Sequence, residues 1–530
     1  MHKSLLLPVI AIVALTVYKV FSIIVNRRKD ADFARQHNCQ PAPAVTWDGF
    51  LGIKVIKEMQ AADQKNMFMN LLNDRVSQMS EKVGRYCPTF SYRVLGKQGF
   101  FTADPKNIQA ILAHQFEDFE LGALRRKVMG EPLGDGIFVQ DGKKWEHSRA
   151  LLRPNFVRDQ VSDLDMEERH VQDLFTVMPV QQDGWTDMTN VQELFFRLTI
   201  DTATEFLFGE STNTQVTTSN KNQTDSKGRW DERAFAKHFD SVQRHMSSKF
   251  RYGDLHWLHN PKEYQEDIKI INEFISYYVD LALTKSTDRK PDTKGEKYVF
   301  LEALAAQTQD PVALRAQLLN ILLAGRDTTA SLLSWTFHEL VRNPEIFEKL
   351  RRAILSDFGP YSTDDLSAIT FSSLKSCTYL QHTLSEALRL WPVVPGNSRR
   401  SNKRTTLPRG GGPDGLSPVF IPPETQVDYS VYTMMRRKDL WGEDADKFRP
   451  ERFEGRKPGW DYLPFNGGAR LCIGQQLALT EAAYVVARIL QKFDKIEAHP
   501  GDFEAITTQN LTLTSCPAKP VRLRAREAKA

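Results

Sequence analysis

The segment Phe465-Asn-Gly-Gly468-Ala-Arg470-Leu-Cys472-Ile-Gly474 holds the residues best able to do chemistry. Cys472 sits in a glycine-rich turn just before a helical pattern, where backbone N–H groups and the helix dipole favour a thiolate. A thiolate is what a haem iron needs if the protein is to push electron density toward O–O cleavage. The flanking glycines let the backbone approach a flat macrocycle closely. Arg470 can pair with a haem propionate, and Phe465 can shield the sulfur from water. A lone cysteine beside a turn is more often a buried structural residue. Five fixed residue types at set spacing change that, because a chance match in about 500 residues is on the order of one in 10,000 from average usage.

A second group, Ala324-Gly325-Arg326-Asp327-Thr328-Thr329, interrupts an apolar helical pattern with polar residues and poor helix formers. Hydroxyl-to-backbone bonding there can open the helix ladder and admit water. The structural alternative is a harmless kink. With a haem in place, Asp327 and Thr328 gain a role in delivering protons to dioxygen while the rest of the pocket stays dry. Glu386 and Arg389, three apart, are ordinarily a surface ion pair worth roughly a few tenths of a kcal/mol, and carry no weight alone. Trp145 and Arg149 are equally weak by themselves. Gly410-Gly411-Gly412 lacks the Lys and Ser/Thr of a phosphate loop and reads as a turn.

Taken together these motifs form a known set. The Cys472 segment resembles the haem-binding loop of the cytochrome P-450 superfamily at every fixed position. Ala324–Thr329 resembles that family's oxygen-activation sequence, and Glu386-x-x-Arg389 its ExxR motif. Pro450-Glu451-Arg452-Phe453 resembles the motif whose arginine completes a Glu-Arg-Arg network, and Trp145-x-x-x-Arg149 a helix that binds a haem propionate. The set spans residues 145–474 in the family's order. The resemblance implies a mainly α fold with a minor β part and haem b ligated by Cys472. It further implies cofactor binding by Phe465, Arg470, Trp145 and Arg149, catalytic roles for Thr328 and Asp327, and a structural network of Glu386, Arg389 and Arg452.

The elements that must position these residues are partly legible. Residues 91–104 read as a hairpin, with β-formers on both sides of Gly96. Residues 311–343 read as one long helix opened by Pro311 and stopped at Asn343-Pro344, roughly 50 Å at about 1.5 Å per residue. Another helix carries Glu386 and Arg389 and ends before Trp391-Pro392. Loops and short strands follow to about residue 470, and an amphipathic helix from about Gly474 to Phe493 closes the core. The polar stretch 211–230 reads as a solvated loop, and its sequon Asn222-Gln223-Thr224 as unused in a cytosolic body.

At the N-terminus, Leu5 to Val25 is 21 residues long with one charge, Lys19, whose stem can reach the interface. Arg27, Arg28 and Lys29 follow, so the body is expected in the cytosol. A cleaved signal peptide is the rival reading, but the stretch is long for one and ends in charge rather than small residues. The expected organisation is an anchor over 1–29, a linker over 30–45 with the stiff Gln40-Pro41-Ala42-Pro43 spacer, and a catalytic domain over 46–530. The composition, 41% hydrophobic and 26% charged over 530 residues, suits one large core. A net charge of +4 without a long basic run gives no case for nucleic acid. Five scattered cysteines make neither a disulfide framework nor a zinc site, and fit a reducing compartment.

Two stretches narrow the resemblance. Val394-Pro-Gly-Asn397-Ser-Arg399 with Thr405–Gly412, and Tyr432–Gly442 with Gly474–Thr480, are similar to the fungal alkane and fatty-acid hydroxylase branch. By that likeness Arg399 would hold a second propionate. The implied reaction is oxidation of a long aliphatic chain at or near its terminal methyl, with dioxygen and two NADPH-derived electrons. An alkyl-chain secondary-metabolite precursor is the alternative substrate. A peroxide-rearranging haem-thiolate protein is the other function class, which the Asp327/Thr328 pair disfavours. Ala324 stands where some animal fatty-acid hydroxylases carry a haem-esterifying glutamate, so covalent haem attachment there is not expected. No flavin or nicotinamide site is apparent, so the implied partners are a separate NADPH-dependent flavoprotein reductase, membrane lipid and a hydrophobic small molecule. The implied location is the endoplasmic reticulum membrane, single-pass. The pocket is expected to be shaped by a loop near 119–138, the stretch near 231–260, and Val393 to Asn397.

Overall fold

The computed structural model describes residues 3–45, 52–156, 164–219, 232–288, 298–502 and 507–529. The chain forms two compact units, the first from 1–56, 73–120 and 397–430, the second from 57–72, 121–396 and 431–530. The sequon at Asn222 lies outside the described residues.

The first unit begins with α1, Lys3–Gln36, a single helix that runs on past the basic cluster at 27–29. Its span Ile10–Gln36 is long and apolar enough to cross a membrane, and Ile12, Val17, Tyr18 and Phe21 are exposed along it. Strands β1 (Thr89–Val94) and β2 (Lys97–Thr102) form the expected hairpin, pairing Thr89 with Thr102 across a turn at Leu95 and Gly96, both at positive φ. With β3 (Phe119–Glu120), β4 (Gly396–Ser401) and β7 (Gln426–Ser430) they make a five-stranded sheet in the order β1-β2-β7-β4-β3. A separate antiparallel pair, β5 (Thr405–Gly411) and β6 (Ser417–Ile421), has a register break between Leu407 and Gly411. Gly410 and Gly411 therefore belong to a bulged strand, and only Gly412 opens the turn that the sequence assigns to all three. The reason is close approach: a Cβ on Gly411 would lie 2.5 Å from the Gln40 carbonyl oxygen.

The second unit is mainly helical, and the chain as a whole is mainly α with a minor β part, as expected. The helices that matter for the site are α2 (Ala123–Leu133), α3 (Gly142–Leu152), α4 (Leu164–Thr176), α5 (Val191–Phe208), α6 (Glu232–Tyr252), α7 (Lys262–Asp288), α8 (Pro311–Leu340), α9 (Thr378–Leu390) and α10 (Gln475–Lys492). The hairpin β8 (Gln509–Leu511) with β9 (Ser515–Pro517) lies against α8. A three-stranded sheet joins Thr189–Asn190, Arg522–Glu527 and Phe493–Ala498. Most of the expected loop at 119–138 is α2, because Ala-Leu-Arg-Arg-Lys-Val-Met are good helix formers; Gly134 at φ 67 ends it. The expected loop at 211–230 opens with a short helix, Thr214–Ser219, whose first turn is tied down by Asp201 accepting from the Thr214 and Gln215 amides.

α8 is the axis of this unit. Asp310 caps it by accepting from the Val312 amide at 2.9 Å, and Pro311 occupies the first turn, where its missing N–H costs nothing. Its 30 residues reach about 45 Å. It stops at Leu340 rather than 343, and Pro344 starts the next helix. The core beside it stacks Trp335 on Trp391 at 4.3 Å and packs Leu380, Leu384 and Leu388 of α9 with Val485, Val486 and Leu490 of α10. Buried Asn320 donates to the Leu133 carbonyl and accepts from the Phe138 amide, fixing the end of α2 on α8.

Candidate active site

Apart from Arg399 and its partners, every residue discussed here lies in the second unit. The cysteine loop is closed across its base. The Cys472 amide donates to the Phe465 carbonyl at 3.0 Å, the Leu471 amide to Gly468 at 3.1 Å, and the Asn466 side chain to the Arg470 carbonyl at 3.1 Å. Asn466 and Gly468 take positive φ to make that turn, and a Cβ on Gly467 would meet the Trp460 ring at 2.8 Å. Phe465 holds Cys472 through its carbonyl while its ring packs on the main core. Burial pushes the Cys472 thiol up, while the Gly474 amide and the charge of Arg149 pull it down. The net direction is upward, with burial the largest cause. Cys472 is exposed as a residue while its thiol is closely surrounded by protein.

Next to the loop, the Trp145 ring is flanked by two guanidinium groups, Arg470 at 4.5 Å and Arg149 at 5.8 Å. Arg470 donates to Asp141 at 2.8 Å and to the Gln140 carbonyl at 3.0 Å, and Arg149 donates to the Leu471 carbonyl at 3.0 Å. Three of the expected cofactor-binding residues thus meet at the cysteine loop. Arg399 belongs to the first unit, buried on β4, where it donates to Asn397 Oδ1 at 3.1 Å and the Ser398 carbonyl at 2.7 Å. Among the described residues no carboxylate pairs with it.

Glu386, Arg389 and Arg452 also come together. Arg389 makes a two-pronged pair with Glu386 at 2.7 and 2.9 Å and donates to the Met435 carbonyl at 2.8 Å. Arg452 reaches Glu386 at 3.3 Å, Asp444 at 2.9 Å and the Trp441 carbonyl at 2.6 Å. Glu386 also accepts from the Arg449 amide at 2.9 Å. Glu386 and Arg389 are fully buried, so this is no surface pair.

On α8, every residue from Ala316 to Leu340 is buried except Ala324, Gly325 and Thr328. At about 100° per residue these three fall within roughly a 100° arc, half-buried positions on an otherwise buried helix, with Gly325 backed by Ala203 of α5. Thr328 Oγ1 donates to the Ala324 carbonyl at 2.6 Å, and the helix is unbroken there. The hydroxyl shares an already engaged carbonyl, so it does not open the ladder as the sequence suggests. Asp327 points elsewhere. It is buried against α6, accepting from Arg326 at 3.1 Å and from Gln243, and burial pushes it up to about 6 despite Arg326. The structure does not bring Asp327 and Thr328 together on one face.

Two residues without a motif stand beside this site. Asp240 of α6 shares the Arg326 guanidinium with Asp327. Glu481 of α10 is fully buried, accepts from Thr202 at 2.7 Å and from Thr329, and is pushed up to about 7 by burial. The signal for Glu481 is a single acid in the apolar run Leu477-Ala-Leu-Thr-Glu481-Ala-Ala-Tyr-Val.

A cysteine presented by a closed glycine-rich loop, two arginines on one indole beside it, and a buried helix with one partly exposed polar turn together fit a haem with an axial thiolate and anionic propionates. The comparisons agree. The sequence model of the cytochrome P450 family matches residues 63–524. The cytochrome P450 monooxygenase g430 of a Fusarium species is 47% identical over 513 residues, 96% of this chain and 88% of that protein. The cytochrome P450 monooxygenase alt2 of Alternaria solani is 41% identical over 97% of this chain and 96% of its own length. Cytochrome P450 52A12 of Debaryomyces hansenii is 44% identical over 89% and 90%. With a family match across most of its length and relatives this similar end to end, the chain belongs to the cytochrome P450 family of haem-thiolate monooxygenases, oxidoreductases that use dioxygen and electrons from a redox partner.

Proposed function

We propose that this monooxygenase hydroxylates a long aliphatic chain, an n-alkane or fatty acid, at or near its terminal methyl. The observation that carries the reading is the half-buried turn of α8, where the small residues Ala324 and Gly325 sit beside Thr328. A narrow methyl terminus can approach such a surface, and one hydroxyl there suffices to hold a proton-bearing water. The likeness of Val394–Arg399, Tyr432–Gly442 and Gly474–Thr480 to the fungal alkane and fatty-acid hydroxylases supports the substrate class.

When bound, the haem supplies the reduction of dioxygen and O–O cleavage. Cys472 would hold the iron, Arg149 and Arg470 with Trp145 would hold one propionate, and Arg399 a second. Phe465 fixes the loop that presents the sulfur. Thr328 Oγ1 orients water at this turn, and Asp327, held near neutrality, stores and releases a proton at its carboxylate. Glu386, Arg389 and Arg452 keep the segments around the loop in place. Electrons would come from a separate NADPH-dependent flavoprotein, and α1 would hold the enzyme in the endoplasmic reticulum membrane with its body in the cytosol.

The test is a substrate screen by haem spectral shift across alkanes, fatty acids and polyketide-like chains. Each added methylene should tighten binding about fourfold, as burial of roughly 0.8 kcal/mol per CH2 requires, until the pocket is filled. A shift with polyketide-like chains alone would overturn the substrate assignment. NADPH consumption should depend on added reductase.

A further inference from the structure

Arg326 stands in the middle of the oxygen-activation motif, yet it faces away from the half-buried side of α8. Its guanidinium is buried between the rings of Phe196 and Phe239, at 5.4 and 5.9 Å. The same nitrogen, Nη1, donates to two carboxylates, Asp240 of α6 and Asp327 of α8. The two acids are not equivalent. Asp327 is 4% exposed at its side chain, whereas Asp240 is 42% exposed. Among the described residues the other groups facing Asp327 carry no charge: Gln243 of α6 is an amide, and Cys516 of β9 is a buried thiol pushed up to about 12.

A buried guanidinium requires one anion, because an uncompensated charge away from water costs several kcal/mol. Two carboxylates on one cation leave a single surplus negative charge, which a proton can cancel. Solvation decides where that proton sits. The half-exposed Asp240 keeps its charge at little cost, and the enclosed Asp327 does not. If Asp240 were absent, Asp327 would be the sole counter-ion of Arg326 and would be locked as a carboxylate.

We propose that Asp240 is a positioning residue for proton delivery: it neutralises Arg326 from the solvent side and thereby leaves Asp327 free to take up and release a proton. This rests on the reading of Asp327 as the proton store of the site. Asp240 reaches neither substrate nor haem in this role. It acts through Arg326 alone, and the proton exchanged on Asp327 comes from and returns to solvent.

The experiment uses the haem-loaded, full-length enzyme and reads the carboxyl stretch of protonated Asp327 by infrared difference spectroscopy across pH 5–9, the band being assigned by its loss in Asp327→Asn. In the parent protein the band should titrate near neutrality. Asp240→Asn should remove it throughout this range. Arg326→Gln, which deletes the cation instead, should shift the titration the opposite way and keep the band to higher pH. Asp240→Glu should restore the parent behaviour. If Asp240→Asn leaves the titration where it was, or both variants move it in one direction, the inference is overturned; should Asp240→Asn fail to fold, the direction of the Arg326→Gln shift decides. Product formed per NADPH is measured in parallel. It should fall severalfold in Asp240→Asn and no further in the Asp240→Asn/Asp327→Asn double variant. Loss of the band with unchanged product per NADPH would sustain the counter-ion role of Asp240 and sink the reading of Asp327 as the proton store.

Discussion

At the residue scale the proposed chemistry turns on Cys472, whose thiol is enclosed by protein beside Arg149. Burial raises the Cys472 thiol, and the Gly474 amide and the charge of Arg149 lower it. Cys472→Ser should abolish the strongly red-shifted absorbance of the reduced carbon-monoxide complex, and survival of that band would remove Cys472 from the iron. Thr328 presents the opposite case, a hydroxyl that folding does not need. Its hydrogen bond to Ala324 adds to an intact helix, so Thr328→Ala should keep haem content and substrate affinity. What changes is the order of water at the half-buried turn. Reductase-driven NADPH consumption should continue while more electrons emerge as hydrogen peroxide and fewer as product. An unchanged ratio of product to NADPH would exclude this hydroxyl from the mechanism.

At the element scale, buried polar groups stitch helices together, and their burial sets the size of each effect. Arg389 of α9 ties Glu386 to the Met435 and Lys447 carbonyls of a distant loop, with no exposed surface. Deleting one partner of such a set typically costs about 3–5 kcal/mol, so Arg389→Ala should give little haem-loaded protein and a sharply lower melting temperature. Parent-like yield and melting would show that the segments hold without it. Glu481 makes a pH-dependent prediction. Its folded-state value of about 7 lies above the ordinary carboxylate value of 4.5, so the folded chain binds the extra proton between those limits. Its contribution to stability is complete at the acid end of that window and is lost as pH rises through about 7. Glu481→Gln should flatten the decline in melting temperature between pH 4.5 and about 7, since each pH unit over which only the folded chain holds that proton changes stability by roughly 1.4 kcal/mol. A decline as steep as the parent's would place the titration elsewhere. The motif-bearing elements are legible in the sequence because their patterns are local: Pro311 opens α8, Gly96 turns the β1–β2 hairpin, and Gly474 precedes α10. Asp240 and Asp327 are not legible as partners, because 86 residues separate Asp240 from Arg326 and only packing of α6 on α8 joins them. The segment 123–133 reads as loop because Gly122, Gly130, Pro132 and Gly134 crowd it, yet its interior of good formers prevails.

At the scale of the whole molecule, the first unit shows the N-terminal helix running on beyond its apolar stretch. The sequence suggests a boundary at residue 29, marked by charge, and a stiff spacer beyond it. The helix continues instead to Gln36, and its last turns are fixed to the β5–β6 pair: Asp30 accepts from Arg404 at 2.8 Å, and Phe33 meets Phe420 at 5.6 Å. The spacer then acts as a strand-like strap. The Gln40 amide donates to the Pro418 carbonyl at 2.8 Å, the Ser91 amide to Pro43 at 2.8 Å, and the Val45 amide to Ser91 at 2.9 Å. Two truncations separate these roles. Removing residues 1–29 deletes the apolar span and leaves the docked turns, so it should release much of the protein from membranes with haem spectrum and melting temperature unchanged. Removing residues 1–45 also strips those three backbone bonds, each worth about 1 kcal/mol, together with the Phe33–Phe420 contact. That variant should melt several degrees lower while sedimenting like the shorter truncation. Equal melting temperatures for the two would mean that the strap contributes nothing to the fold, and loss of haem from the 1–29 truncation would mean that the apolar span does more than anchor.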